Sequence, residues 1–261
     1  MSSRPPRVLC LSGLDPIGGA GLQADIETLA AHGVHALGLV TALTVQDSRN
    51  VRRVAATDPA LLDEQLAVLL ADSRPDAVKL GLLGSVEQLP VIVAHLVLLA
   101  RLGVPVVCDP VLRAGGGTDL AAAGFPAALR ARLLPLVTVL TPNAAEARRL
   151  APEAATLAAC AATLLADGCA RVLVTGGDEP GASVANQAWG SGGAARCWDW
   201  PRLPETFHGA GCTLASAIAA RLALGDTVDE ALDAGQRWTQ AALARAVTVG
   251  GGRRIPGRLP A

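Results

Sequence analysis

Aromatic residues are scarce in this chain: they make up 2% of the sequence, and tyrosine is absent. The net charge is −1, and the basic residues are scattered rather than gathered into a stripe. Proteins that bind single-stranded nucleic acids stack bases on aromatic rings, and proteins that bind duplexes use basic surfaces that release counterions. The composition therefore argues against a nucleic-acid partner.

Long hydrophobic runs are also missing. The longest apolar stretch, Leu89–Ala100, contains Pro90 and His95 and falls short of the roughly 20 residues that a membrane helix needs. Residues 1–7 do not show the basic and apolar segments of a secretory signal. The six cysteines have no paired metal-ligand spacing, and several lie in apolar runs, which is typical of a reducing compartment. We expect a cytoplasmic protein without a membrane partner.

The order of predicted elements indicates an α/β fold. Short apolar strands alternate with longer helical patterns, which predicts a three-layer α/β/α architecture with a mostly parallel central sheet. Residues 185–200 differ, since they are polar and contain Ser191, Gly192 and Gly193, and they predict a small antiparallel hairpin. With 261 residues, one domain over residues 1–261 is expected, with residues 1–7 and 250–261 flexible.

The predicted boundaries follow from periodicity and from helix start and stop signals. The strands are Val8–Ser12, His35–Val45, Ala77–Leu80, Val104–Cys108, Thr138–Leu140 and Arg171–Val174. The helices are Leu22–His32, Pro59–Ala71, Val86–Leu102, Ala121–Leu134, Ala144–Leu150, Glu153–Ala166, Cys212–Leu224 and Val228–Ala246.

A glycine-containing loop, His208 to Cys212, precedes an alanine-rich helix. Gly209 and Gly211 allow the backbone to approach a ligand closely, and the free N–H groups of the first helical turn favour an anion. Cys212 lies at the positive end of the helix, where a lowered thiol pKa is expected. The alternative is an ordinary helix start with a buried cysteine.

Four other loops follow predicted strands and should meet at one edge of the sheet. The first runs from Ser12 to Gly21 and contains paired glycines. The second places Asp109 after a strand, where a carboxylate can hold Mg²⁺, and continues into Gly115–Gly117. In the third, Asn143 and Glu146 are either site residues or a simple helix cap. The fourth is Thr175–Gly177.

Other catalytic patterns are missing from the sequence. No Gly-x4-Gly-Lys-Ser/Thr phosphate loop is present, and no histidine accompanies a nucleophile elbow. A bound nucleotide would therefore need another kind of anion site.

Taken in order, the motifs resemble the hydroxymethylpyrimidine/phosphomethylpyrimidine kinases of thiamine biosynthesis, which have a ribokinase-like fold. The resemblance covers roughly residues 7–245. Cys212 stands where most of that superfamily has Asp, as it does in the pyrimidine kinases. The motifs that carry the resemblance are Ser12–Gly21, Gln23–Asp25, Val40–Gln46, Val78–Leu83, Cys108–Pro110, Leu140–Glu146 and Gly209–Cys212.

The resemblance implies an ATP-dependent kinase that phosphorylates hydroxymethylpyrimidine and its monophosphate. Cys212 would be the catalytic base, and the backbone of Gly209, Ala210 and Gly211 would form the anion hole. Asp109 and Glu146 would hold Mg²⁺, the latter through water. A homodimer is also implied. The remaining implied site residues are Asp109, Asn143, Thr175 and Gly177 on the ATP side, and Gly13, Asp25, Gln46 and Leu83 at the acceptor.

Three departures from the family pattern stand out. Many members have Lys at Thr175, and many read Lys-Ser-Gly at Gly115–Gly117. Residues 250–261 do not follow the usual family ending. Lys79 and Arg113 are the candidates to compensate for the missing lysines. The alternative functions are a pyridoxal or pyridoxine kinase and a homologue that binds ligand without turnover.

Overall fold

A single mixed sheet runs through the computed structural model, which describes residues 4–120, 124–190 and 195–259. Within these ranges nine strands follow the order β3-β2-β1-β4-β5-β6-β7-β8-β9. The strands are β1 (Arg7–Leu14), β2 (His35–Gln46), β3 (Val51–Ala56), β4 (Ala77–Leu80), β5 (Val106–Cys108), β6 (Val139–Leu140), β7 (Arg171–Val174), β8 (Ser183–Gly190) and β9 (Arg196–Pro201).

The centre of the sheet is parallel, as predicted. Strand β1 pairs with β2 and β4, and the parallel pairing continues through β5, β6 and β7. Leu9 of β1 lies opposite Leu37 on one side and Val78 on the other. All three side chains are buried, because helices cover both faces of a parallel sheet. The antiparallel partners lie at the edges: β3 beside β2, and β8 and β9 beside β7.

Helices form the two outer layers. Those of one layer, α1, α7 and α8, contact one another and pack with one core cluster, while helices α2 to α6 contribute to the other cluster. This arrangement gives the predicted three-layer fold. The helices are α1 (Gly21–Ala31), α2 (Pro59–Asp72), α3 (Leu89–Arg101), α4 (Phe125–Arg132), α5 (Ala144–Leu150), α6 (Leu157–Ala166), α7 (Ala210–Ala223) and α8 (Val228–Ala244).

Several predicted boundaries differ from the structure. Strand β3 was not predicted, because Arg52 and Arg53 make this exposed edge strand polar. Helix α6 begins at Leu157 rather than Glu153, since the Thr156 side chain caps it by accepting from Ala159 N at 3.1 Å. The predicted start of helix α4 at residues 121–123 lies outside the described residues.

The predicted hairpin is confirmed by the antiparallel pairing of β8 and β9, in which Asn186 lies opposite Trp198. Its predicted centre, Ser191, Gly192 and Gly193, lies outside the described residues. Within the described ranges, no helix combines the length and the apolar character that a membrane crossing requires.

The carboxy-terminal segment packs against the domain, whereas the sequence predicts a flexible end. Residues 250–259 run beside the loop that follows β2 and beside the start of α7. The N–H of Arg254 donates to the carbonyl group of residue 206, and the N–H of His208 donates to the carbonyl group of residue 254. Arg258 is 3% exposed, and its guanidinium donates to Thr213 Oγ1 at 2.9 Å and to Glu27 Oε2 at 3.0 Å. These bonds place residues 250–259 against the rest of the domain.

Candidate active site

A cavity of about 600 Å³ opens where the parallel strands end. This is the expected position for a ligand in an α/β sheet, because the loops that follow the strands converge there. Most of the predicted site residues line it: Gly13, Gln46, Asp109, Asn143, Glu146, Thr175, Gly177, Gly209, Ala210, Gly211 and Cys212. Asp25 and Leu83 do not.

The start of helix α7 forms one wall of the cavity. Gly209 has a left-handed backbone with φ of 84°, and a Cβ atom there would collide with the carbonyl oxygen of Gly19. No side chain caps the helix, so the first N–H groups, those of Ala210, Gly211 and Cys212, have no intrahelical acceptor. Together with the helix dipole, these groups form a positively polarised surface suited to a phosphate.

Cys212 is buried in this wall, and its thiol does not behave as predicted from the sequence. Burial, although opposed by the charge of Lys79 and reinforced by the carboxylates of Asp109 and Asp25, raises the pKa of Cys212 to about 12. The expected lowering by the helix terminus is therefore outweighed by the loss of solvation. In the ligand-free protein, Cys212 is a thiol at neutral pH.

Two carboxyl groups also line the cavity: Asp109 follows β5, and Glu146 lies in the first turn of α5. Burial raises the pKa of Asp109, and burial together with the negative charge of Asp109 raises the pKa of Glu146 to about 8. Glu146 also belongs to a capping box, because its Oε2 accepts from Asn143 N at 3.1 Å and its own N–H donates to Asn143 Oδ1 at 2.8 Å. The capping interpretation is therefore confirmed, and the same two residues also line the cavity.

The electrostatics of this carboxylate pair fit a divalent cation. Both carboxyl groups are buried, burial raises both pKa values, and the charge of Asp109 further raises the pKa of Glu146; a cation bound between them would favour their ionised forms. Asp109 and Glu146 are two carboxyl groups only, and nowhere in the described ranges, this site included, is a group of three or more His, Cys, Asp or Glu side chains arranged to hold a metal ion. All six cysteines are free thiols.

Asp25 does not face the cavity, which corrects its predicted contact with the acceptor. It is fully buried and forms an ion pair with Lys79, with Nζ 2.7 Å from Oδ1. The hydroxyl groups of Ser12 and Ser216 donate to the same carboxylate at 2.5 and 2.7 Å. This network joins β1, α1, β4 and α7 beneath the site.

Lys79 is likewise removed from the cavity. Burial alone would lower its pKa, but the carboxylates of Asp25 and Asp109 contribute to a net rise. Lys79 therefore cannot replace a phosphate-binding lysine by direct contact. Arg113, the other candidate, does line the cavity and donates from Nε to Gly117 O at 2.7 Å.

Leu83 also lies outside the cavity, where it packs in the core beside helices α2 and α3. Its neighbour Leu82 lines the cavity instead. Successive side chains of an extended chain point to opposite faces, so a prediction that is wrong by one residue selects the wrong face. Gly13 lies against this side chain, since a Cβ atom at position 13 would be 2.9 Å from Leu82 Cδ2 and the leucine would have to shift.

A buried pair that the sequence did not single out, Asp15 and His208, connects two of the predicted loops. His208 Nε2 lies 2.7 Å from Asp15 Oδ2, which also accepts from Ala20 N at 2.9 Å. Burial would raise the pKa of Asp15, but hydrogen bonds from His208, Gln46 and Ile17 outweigh this effect and lower it. The pair holds the first glycine-rich loop against the start of α7.

The far side of the cavity is organised by Arg202, which the sequence also did not indicate. Its guanidinium donates to Gly177 O at 3.0 Å, to Gly181 O at 2.7 Å and to Glu179 O at 2.6 Å. Asp178 accepts from the first N–H groups of α5, so this loop is held beside Thr175 and Asn143. The result is an ordered backbone wall next to the anion site.

Comparison with known proteins identifies the family of the chain. Residues 15–256 match the model of the phosphomethylpyrimidine kinase family. The chain belongs to the phosphomethylpyrimidine kinase family. Among its relatives is the hydroxymethylpyrimidine/phosphomethylpyrimidine kinase of Mycobacterium tuberculosis, which is 40% identical over 253 residues, or 95% of this chain and 92% of the relative.

Solved structures agree with the family assignment and with the ribokinase-like fold. A pyridoxal kinase of Bacillus subtilis, solved as an ADP complex, superposes with a TM-score of 0.87 at 29% identity and covers 98% of each chain. A phosphomethylpyrimidine kinase from Clostridium difficile gives a TM-score of 0.76 at 28% identity, over 90% of this chain and 98% of that one. Membership of the phosphomethylpyrimidine kinase family confirms the predicted phosphotransferase.

Proposed function

We propose that this member of the phosphomethylpyrimidine kinase family transfers the γ-phosphoryl group of ATP to 4-amino-5-hydroxymethyl-2-methylpyrimidine and to its monophosphate, which yields the pyrophosphate used in thiamine biosynthesis. The observation that carries the proposal is the uncapped start of α7 facing Asp109 inside one cavity. The family and the names of the relatives specify the acceptor.

The cavity offers the two things that phosphoryl transfer requires, positioning and charge stabilisation. The nucleotide would lie along the wall formed by Thr175 and Gly177, with its γ-phosphate at the N–H groups of Gly209 to Cys212. Because these donors are fixed by the helix, they need no rearrangement when charge develops on the transferred oxygens. The acceptor would lie between Gly13, Leu82 and Gln46.

Asp109 and Glu146 would hold Mg²⁺, with Asn143 beside them. The proposal is supported by the raised pKa values of both carboxyl groups, since a cation would relieve their mutual repulsion. When bound, the ion would supply positive charge that offsets the charge of the triphosphate.

Cys212 would act as the base after losing its own proton to solvent, and the resulting thiolate would accept the proton of the acceptor hydroxyl group. In the ligand-free protein its raised pKa keeps the thiol protonated, and the nearby cation of Lys79 is the protein charge that favours its thiolate. In the second phosphorylation the acceptor is already an anionic phosphate, so the need for a base is smaller.

The proposal is tested by measuring ADP release with ATP, Mg²⁺ and each of three acceptors: hydroxymethylpyrimidine, its monophosphate and pyridoxal. Turnover of both pyrimidines is expected. Turnover of pyridoxal alone would overturn the assignment, and no ADP release with any acceptor would favour a homologue that binds ligand without turnover.

Pyridoxal phosphorylation is a second candidate activity, because the Bacillus subtilis pyridoxal kinase superposes with a higher TM-score than the Clostridium difficile phosphomethylpyrimidine kinase. The pyrimidine acceptors remain the main proposal, since the family model and the relative at 40% identity both name them.

A homodimer and a cytoplasmic location complete the proposal. The dimer is implied by the family resemblance, and light scattering after size-exclusion chromatography would test it. The location is supported by six free thiols, five of them buried, and would be tested by cell fractionation.

A further inference from the structure

Three segments close over one side of the cavity and are called here the rim: residues 47–50, 113–117 and 250–253. They approach so closely that side chains would not fit at several positions. A Cβ atom on Gly116 would collide with Arg49 O, and one on Gly252 would lie 2.5 Å from Ser48 O. Hydrogen bonds fix the contact, since Gly252 N donates to Ser48 Oγ at 2.9 Å.

Arg253 extends from the rim into the cavity and occupies space that Gly115 leaves open. A Cβ atom on Gly115 would overlap Nη1 of Arg253. Any side chain at position 115, including the lysine that many family members carry, would therefore compete with the Arg253 guanidinium for the same volume. Gly115 contributes no side chain here, and Arg253 of the carboxy-terminal segment fills the space instead.

The Arg253 guanidinium has few partners of its own. Its Nε is buried and has no hydrogen-bond acceptor, and its Nη2 makes a 3.3 Å bond to Arg49 O. None of the ion pairs within the described ranges includes Arg253. Burial lowers its pKa and the more distant charge of Asp15 opposes this effect. Burying part of a cation with unused hydrogen-bond donors costs free energy unless an anion binds to those donors.

We propose that Arg253 binds a phosphate group of the substrates and takes the place of a lysine at position 115. This inference rests on the proposed function, which brings phosphate into the cavity. A guanidinium presents several donors in one plane and matches the oxygens of a phosphate, so it suits this role better than a single ammonium group. The phosphate is that of the phosphorylated acceptor or the γ-phosphate of ATP.

Titration calorimetry and steady-state kinetics on the Arg253→Ala variant distinguish these two sources. Loss of charge-assisted hydrogen bonds should weaken binding by about 10–100-fold. If the acceptor phosphate is the ligand, the Kd for hydroxymethylpyrimidine monophosphate rises while that for hydroxymethylpyrimidine is unchanged. If the donor is the ligand, the KM for ATP rises instead. Exposed Arg132, which does not line the cavity, provides a matched Arg132→Ala control.

A reciprocal exchange tests whether positions 115 and 253 serve the same phosphate. In the Arg253→Ala background, Gly115→Lys should restore at least part of the lost affinity. In the wild-type background, the same Gly115→Lys change should weaken binding, because the lysine meets the guanidinium. Failure of the double variant to recover affinity would overturn the exchange.

Unchanged Kd and KM values in Arg253→Ala would overturn the role of Arg253. An equal loss of affinity for hydroxymethylpyrimidine, which carries no phosphate, would also overturn it, because the residue would then only support the fold of the rim. Absence of turnover by the wild-type protein would overturn the proposed function instead, so the two failures are distinguishable.

Discussion

Replacing Asp25 by alanine separates a role in the fold from a role in acceptor binding. The Asp25 carboxylate is fully buried and accepts from Ser12, Ser216 and the Lys79 ammonium group. The variant would leave Lys79 as a buried cation without its counter-charge. Removing one partner of a buried ion pair costs about 3–5 kcal/mol of the free energy of unfolding.

In a domain of this size, such a loss should lower the melting temperature by roughly 6–20 °C. Urea unfolding followed by circular dichroism would measure the loss of unfolding free energy. Below the new melting temperature, the KM for hydroxymethylpyrimidine should remain that of the wild type, because Asp25 does not reach the cavity. A raised KM with unchanged unfolding would refute the structural assignment of Asp25.

A double-mutant cycle provides the control for the Asp25 prediction. Lys79→Met alone leaves Asp25 as an unpaired buried anion and should be destabilising as well. The double variant Asp25→Leu/Lys79→Met removes both charges, so its cost should be smaller than the sum of the single costs. Additive costs would show that the two side chains do not form a coupled pair.

Three further predictions concern the site and its support. Mg²⁺ should raise the melting temperature of the wild type but not of Glu146→Gln. Without metal, the folded protein binds the Glu146 proton more tightly than the unfolded chain does, because its pKa is raised from 4.5 to about 8. The free energy of unfolding should therefore fall as the pH rises from 4.5 to about 8, and Glu146→Gln should abolish this fall. Cys212→Ala should lower kcat on hydroxymethylpyrimidine by about 10²–10⁴-fold and on the monophosphate by less, as measured by ADP release. Arg258→Ala should lower both the urea midpoint and kcat, since Arg258 bonds to Thr213 beside Cys212.

Each of these changes has a matched control or a contradicting result. Exposed Cys197 and Arg237 allow alanine controls that should leave kcat unchanged. Equal stabilisation of Glu146→Gln by Mg²⁺ would contradict the proposed metal site. Full activity of Cys212→Ala on the alcohol would exclude Cys212 as the base, and a wild-type urea midpoint for Arg258→Ala would show that its buried bonds contribute little.

Much of the fold follows from local patterns in the sequence. The bounds of Ala77–Leu80, Ala144–Leu150 and Arg171–Val174 match the structure, because apolar runs and caps are set by neighbouring residues. Strand β3 escaped prediction because an exposed edge strand with two arginines carries little hydrophobic signal. The glycine- and carboxylate-bearing loops were also predictable, since parallel strands bring their carboxyl ends to one edge.

What each side chain in those loops does was decided by tertiary structure. No local feature distinguishes Asp25 from Asp109, since both are aspartates in motifs that carry the family resemblance. In the structure, Asp25 is buried against Lys79, whereas Asp109 faces the cavity. The expectation of a lowered pKa for Cys212 was wrong for the same reason: the helix start is a local feature, but the burial that raises the thiol pKa comes from elements far apart in the chain.

The sequence by itself determined the alternation of strands and helices and the position of the glycine-containing loop, His208 to Cys212, at the start of a helix. Only the tertiary structure decided that Arg253, from the carboxy-terminal segment, fills the space left by Gly115. The physical reason is range: periodicity and capping act within a few residues, whereas desolvation, ion pairing and close packing depend on which distant segments meet.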